Sequence, residues 1–220
     1  MDRLKNKILF CGYRHWALNV YDTLPKGVDL VISPESFNEI ISKNTYDIIF
    51  FIGWSWIIPE NIINSTTCIC LHPSPLPLYR GGSPLQHQII NGEDKSAVTL
   101  FIMTEKVDDG PILWQKEFSL KGELEVIFQH ITNLGIEGIN YVLTVDDITK
   151  TAIPQDNNKA TYFKRRSPSQ SEIKTTDFNQ YTAEQMYNKI RALQGSYPNP
   201  YILCKDGTKL FITQSYVETN

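Results

Sequence analysis

Four apolar runs constrain this fold more than any other feature of the chain: Ile8-Leu9-Phe10-Cys11, Val28-Asp29-Leu30-Val31-Ile32, Ile48-Ile49-Phe50-Phe51-Ile52 and Cys68-Ile69-Cys70-Leu71. Strands apolar at nearly every position bury both faces, which is the habit of parallel sheets flanked by helices. The intervening segments supply those helices, one from Tyr13 to about Leu24 and others opening at Pro34-Glu35 and Pro59-Glu60. The fold class expected is α/β, a Rossmann-like sheet covered on both sides. Gly12 follows the first run without a Gly-x-Gly-x-x-Gly, which argues against a nicotinamide enzyme. In such sheets the ligand crevice lies beyond the carboxyl ends of the strands, and His72 comes directly after the fourth run.

The pattern then changes. A helix is expected near Pro84–Ile90, a strand over Ala97–Ile102, a turn at Asp108-Asp109-Gly110-Pro111 and a strand from Ile112 to Phe118. Leu124, Ile127, Phe128, Ile131, Leu134 and Ile139 mark one face of a long helix that Gly135 and Gly138 weaken. From Pro154 to Asp177 the chain is polar and aperiodic, as in a linker or clamp loop. A helix capped by Thr182 follows, then a hairpin about Asp206-Gly207. Residues 1–153 therefore read as the main domain and 154–220 as a linker with a small helix and β-hairpin extension.

Composition narrows the function. A net charge of -3 gives no global attraction to nucleic acid, and no stretch is long and apolar enough to span a bilayer. The first residues carry no signal-peptide pattern, so a cytoplasmic protein is expected. The four cysteines, Cys11, Cys68, Cys70 and Cys204, form no C-x-x-C pair. Cys68 and Cys70 are read as facing opposite sides of their strand, and all four as free buried thiols, with no metal site.

His72 lies in the run Leu71-His72-Pro73-Ser74-Pro75-Leu76-Pro77-Leu78-Tyr79-Arg80-Gly81-Gly82. Three prolines restrict that loop, which suits either a preorganised imidazole or a plain surface loop. Acyl transfer to an amine requires a proton acceptor and a donor for the tetrahedral oxyanion, and a histidine can supply either. Asp108, with Asp109 as its rival, is placed to return to the same crevice and set the protonation of the ring.

From Trp54 to Gln115 the chain resembles the formyltransferases that use 10-formyltetrahydrofolate. Their loop has the form Asn-x-His-Pro-Ser-x-Leu-Pro-x-Tyr-Arg-Gly, matched from Cys70 to Gly81 except at the first position. A Gly-Val-Thr-like strand is matched by Ala97-Val98-Thr99, and an Asp-x-Gly-x-Ile turn by Asp108, Gly110 and Ile112. The resemblance implies that His72 and Asp108, rather than Asp109, carry the chemistry, with 10-formyltetrahydrofolate as formyl donor and no metal. The family's asparagine donates to the formyl oxygen, and Cys70 offers only a weak S–H there. The enzyme is then slow, another group substitutes for the amide, or the chain binds ligand without turnover. A formyl-thioester on Cys70 is a further route, although the rest of the match implies direct transfer. Ile57 and Ile58, in the loop with Trp54 and Trp56, are expected beside the folate together with Asp108 and Gly110.

Thr161-Tyr162-Phe163-Lys164-Arg165-Arg166-Ser167-Pro168 and Ile190-Arg191-Ala192-Leu193 followed by Tyr197-Pro198 resemble segments of the sugar N-formyltransferases. The resemblance implies a nucleotide-linked amino sugar as acceptor, dTDP-4-amino-4,6-dideoxyglucose above others, and a formamido sugar product for a surface polysaccharide. Ser74, Tyr79, Arg80, Gly81, Arg165 and Arg166 are the expected acceptor contacts, the arginines suiting a diphosphate. The tRNA enzymes of the family carry a further β-barrel, and the stretch after Asp177 is too short for one, so no nucleic-acid partner is expected. The terminal hairpin supplies an edge for a homodimer. Another small amine or a carrier-bound amino acid is the alternative acceptor.

Overall fold

In a computed structural model, residues 7–195 and 197–218 are described. The reading of the first residues as free of a signal peptide falls mostly outside them. The first four apolar runs are strands β1 (Ile8–Cys11), β2 (Asp29–Val31), β3 (Ile48–Ile52) and β4 (Thr67–His72), joined by helices α1 (His15–Tyr21), α2 (Pro34–Lys43) and α3 (Glu60–Ser65). β1 and β3 are buried at every position. Successive side chains point to opposite faces. Ile8, Phe10, Phe50 and Ile52 join Ala17 and Val20 of α1, while Leu9, Cys11, Ile49 and Phe51 join Phe37 of α2. Ser33 fixes the start of α2, its hydroxyl accepting from the Ser36 N–H at 3.2 Å ahead of Pro34.

β5 (Arg80–Gly81), α4 (Pro84–Ile90), β6 (Lys95–Ile102), β7 (Ile112–Ser119), α5 (Leu124–Thr144) and α6 (Ile148–Thr151) follow. The main sheet has the order β2-β1-β3-β4-β6-β7. The first four strands are parallel, but β6 runs antiparallel to β4 and β7 antiparallel to β6. The sheet is therefore mixed. Asp108-Asp109-Gly110-Pro111 belongs to the connection of the β6–β7 hairpin. The two glycines of α5 serve close packing: a Cβ on Gly138 would lie 2.7 Å from the Trp114 ring and 2.8 Å from Leu100, and one on Gly135 3.0 Å from Leu71.

Cys68 and Cys70 do not diverge. A strand period of two residues puts them on one face, and both pack with the cluster of Leu9, Cys11 and Phe51. The described cysteines are free, and among the described residues no cluster of ligands could hold a metal ion. No described helix is long and apolar enough to cross a membrane.

Beyond β8 (Tyr162–Phe163), which pairs in parallel with β5, come α7 (Ala183–Arg191) and the hairpin β9 (Tyr201–Leu203) and β10 (Lys209–Phe211). Thr182 caps α7 as expected, and Gly207, at φ +81°, turns the hairpin. Ile173, Met186 and Ile190 form a small core there with Ile202 and Ile212.

Candidate active site

β4 delivers Cys70 and His72 to the same face of the sheet, at its carboxyl end. His72 is buried, and the proline loop that follows is pinned from inside. The Ser74 hydroxyl, without accessible surface, donates to the Leu78 carbonyl at 2.8 Å, and Thr99 Oγ1 donates to the Ser74 carbonyl at 2.7 Å. The loop brings the Tyr79 carbonyl to 2.9 Å from His72 Nε2. A carbonyl only accepts, so Nε2 carries a hydrogen. Nδ1 is left facing Asp108, 3.6 Å from Oδ2. That carboxylate oxygen also accepts the Gly81 N–H at 2.7 Å. The arrangement assigns the ring atoms: Nε2 orients, and Nδ1 is the nitrogen that can gain or lose a proton beside a carboxylate.

Backbone strain converges here. Tyr79, Ser83 and Asp108 are the described non-glycine residues with positive φ, at 59°, 53° and 52°. Such conformations cost about 1–3 kcal/mol each and persist only where the surroundings enforce them. Tyr79 is enforced by its N–H donating to Thr161 Oγ1 at 2.8 Å, its hydroxyl donating to Glu93 at 2.7 Å, and its ring stacked on Phe163. Gly110 is required to be glycine, because a Cβ would collide with the Ile102 carbonyl.

Arg80 lies deeper than a substrate contact should. It has no accessible surface, and its guanidinium donates to Gln155, Asn157 and Tyr162 and pairs with Asp109 at 3.1 Å. Its place is a strut between the His72 loop, the Asp109 turn and residues 155–162. Ser74 and Tyr79, buried as described, likewise shape the loop from within. Asp109, the rival carboxylate, is committed to Arg80, whereas Asp108 faces His72. Within the segment expected as a linker or clamp loop, Gln155, Asn157, Thr161 and Tyr162 bond to Tyr79 and Arg80.

Cys70 keeps partial exposure toward the site. Burial, with Asp108 and Cys68 nearby, holds its thiol well above the usual range, and burial pushes Cys68 up to about 12. A neutral thiol is a poor nucleophile, so these surroundings oppose the thioester route. Of the two isoleucines after β3, Ile58 is buried in the core and Ile57 is 97% exposed. Trp54 packs against Phe37 and Phe51, and Trp56 against Tyr13. Arg165 is exposed and donates to the Ser55 carbonyl at 3.3 Å. Arg166 is half-buried and turns away to the Gln170 carbonyl, with burial lowering its pKa.

Next to the carboxyl end of β1 a cavity of about 830 Å³ opens between the start of α1, the start of α5 with Glu123 and Glu125, and Gln194, Tyr197 and Gln214. Neither His72 nor Asp108 lines it. Tyr13, Trp16, Phe128 and Tyr197 supply aromatic walls, and Arg14 lies over the Tyr13 and Tyr197 rings at 5.1 and 5.6 Å. Tyr13 donates to Ser55 Oγ at 2.8 Å, so this wall adjoins the loop that Arg165 touches. Sequence reasoning missed Arg14, which looks like any arginine at a helix start, and Gln155, one amide in a polar stretch.

Residues 31–127 match the formyl transferase family. The chain is 33% identical over 189 residues to the methionyl-tRNA formyltransferase of Sulfurovum sp., covering 83% of this chain and 59% of that protein. It spans about three fifths of the length of the curated relatives it matches. A solved methionyl-tRNA formyltransferase from Clostridium thermocellum superposes with TM-score 0.75 at 28% identity, over 94% of this chain and 97% of that one. A sugar N-formyltransferase from Shewanella sp. superposes with TM-score 0.74 at 19% identity, over 97% and 98%, a likeness of fold alone. The α/β Rossmann-like core expected from the sequence is the formyltransferase fold. Residues 31–127 therefore belong to the formyl transferase family, and the chain shares its fold with a tRNA enzyme and a sugar enzyme.

Proposed function

We propose that this chain is an N-formyltransferase that passes a formyl group from 10-formyltetrahydrofolate to the amine of a nucleotide-linked amino sugar, in the cytoplasm and without a metal. The observation that carries the chemistry is the His72–Asp108 pair, with Nε2 occupied by the Tyr79 carbonyl and Nδ1 turned to the carboxylate. In this reading the amine attacks the formyl carbon and a tetrahedral oxyanion forms beside a protonated Nδ1. The bond from the formyl carbon to N10 then breaks. The amine proton passes through the His72–Asp108 pair to N10 of the departing tetrahydrofolate, and a formamide remains.

Support for the acceptor comes from the cavity beside β1. Its aromatic walls suit a nucleobase, and Arg14 supplies a cation for a diphosphate among the acidic Glu123 and Glu125. In this reading Arg165, exposed beside Ser55, joins Arg14 at the diphosphate, and Arg166 is held by the Gln170 carbonyl. A thymidine diphosphate sugar such as dTDP-4-amino-4,6-dideoxyglucose is the acceptor we favour. The apolar Leu203, Leu210 and Phe211 exposed on the terminal hairpin support a homodimer, and sedimentation would show it.

One observation favours a second reading, formylation of initiator methionyl-tRNA: the curated relatives reach 33% and 34% identity and bear that name. Both acceptors should be offered with 10-formyltetrahydrofolate and the products weighed by mass spectrometry. A formamido sugar nucleotide supports the first reading. Formylated tRNA alone replaces it with the second, and neither product removes the transferase assignment.

A further inference from the structure

We propose that Gln155 is the positioning residue that sets Asp108 against His72. Its side-chain amide is used at both ends. Nε2 donates to the Asp108 carbonyl at 2.9 Å and to the Gly110 carbonyl at 2.7 Å. Oε1 accepts from Arg80 Nε at 3.1 Å and Nη2 at 2.7 Å. One side chain therefore ties the strained backbone of Asp108, at φ +52°, to the buried guanidinium that anchors the His72 loop. The Gly81 N–H then fixes Oδ2 from the opposite side.

Each competing restraint acts elsewhere. Asp109 and Asn157 hold Arg80, and Tyr162 meets its other terminal nitrogen at 2.6 Å, but none of these reaches the Asp108 carbonyl. Asp108 lies in a left-handed conformation that its neighbours must enforce. Without the two carbonyl bonds the turn relaxes and the carboxylate swings from Nδ1. Gln155 bonds to Arg80 and to the Asp108 and Gly110 carbonyls, so it acts through Asp108.

Two variants separate this role from simple loss of fold. Gln155→Glu keeps two oxygens for Arg80 but presents oxygen where the carbonyls need a donor. Gln155→Met removes both sets of bonds at similar length. The consequence for rate rests on the formyl-transfer reading: kcat falls about tenfold or more, while KM for donor and acceptor stays within about twofold. The Nδ1 nitrogen resonance of the His72 imidazole, followed by NMR, does not depend on that reading. It moves in both variants because the carboxylate that faces Nδ1 at 3.6 Å has receded. A moved resonance in a protein that shows no formyl transfer keeps the positioning role and discards the reaction. A folded variant whose His72 Nδ1 resonance matches the wild type overturns the proposal.

Discussion

At the scale of single residues the site turns on which atoms are committed and which are open. His72 Nε2, Asp109 and Arg80 are committed, the Cys70 thiol donates to the Leu71 carbonyl at 3.6 Å, and Nδ1 faces Asp108 Oδ2. Cys70 stands where the family's loop has asparagine. Replacing Cys70 with Asn should restore a strong oxyanion donor and raise kcat on the order of a hundredfold, since losing one such donor elsewhere costs about that much. Steady-state kinetics of C70N against the wild type checks this, and an unchanged kcat would show that another group already supplies the bond. Because burial holds the Cys70 thiol well above the usual range, it stays protonated through about pH 8. Iodoacetamide should therefore label it far more slowly than a free thiol at that pH, as peptide mass mapping would record. His72 was legible in the sequence because strand end, histidine and prolines adjoin. The burial of Arg80 was not legible, because sequence does not reveal that a charge is satisfied in the interior by amides, a hydroxyl and a carboxylate from distant segments.

At the scale of elements, the strands and helices followed from apolar periodicity, and the mixed sheet did not. Nothing in Ala97–Ile102 distinguishes an antiparallel strand from a parallel one when both faces are buried. The glycines of α5 show the same limit. Propensity alone makes Gly138→Ala a gain of about 1 kcal/mol. The Trp114 ring and Leu100, within 2.8 Å of the added methyl, make it an overpacking that costs about 1–3 kcal/mol. The variant should unfold at lower urea concentration than the wild type, and an increase would mean that Trp114 gives way freely. In the C-terminal part, Lys189 on α7 holds Asp177 at 2.9 Å. Burial raises the Asp177 carboxyl, but Lys189 and the Lys174 N–H outweigh it and leave it below the ordinary carboxylate range. A depressed folded value means that this stability is present above the unfolded value of roughly 4 and is lost as pH falls through the folded one. Asp177→Asn should accordingly flatten the acid limb of a urea-unfolding series taken between about pH 6 and pH 3.

At the scale of the whole molecule, three elements far apart in sequence meet at one point: the end of β4 with its loop, the β6–β7 turn and residues 155–163. The ordered match of His72, Val98-Thr99 and Asp108 made the first two legible. The third was visible only as loss of periodicity, because its bonds join polar side chains to backbone carbonyls and leave no apolar pattern. Its residues tie the chain beyond Ile153 into the site, so the amino-terminal part is incomplete without it. The cavity beside β1 was less legible still, since α1 and the segment near Tyr197 line it only after folding. The measurement that tests the central claim most directly is tetrahydrofolate release from 10-formyltetrahydrofolate, with dTDP-4-amino-4,6-dideoxyglucose or initiator methionyl-tRNA as acceptor, for the wild type and His72→Asn side by side. The expected result is turnover by the wild type with at least one acceptor and a fall of roughly a hundredfold or more in the variant, with donor affinity retained. Equal rates in the two proteins would contradict it.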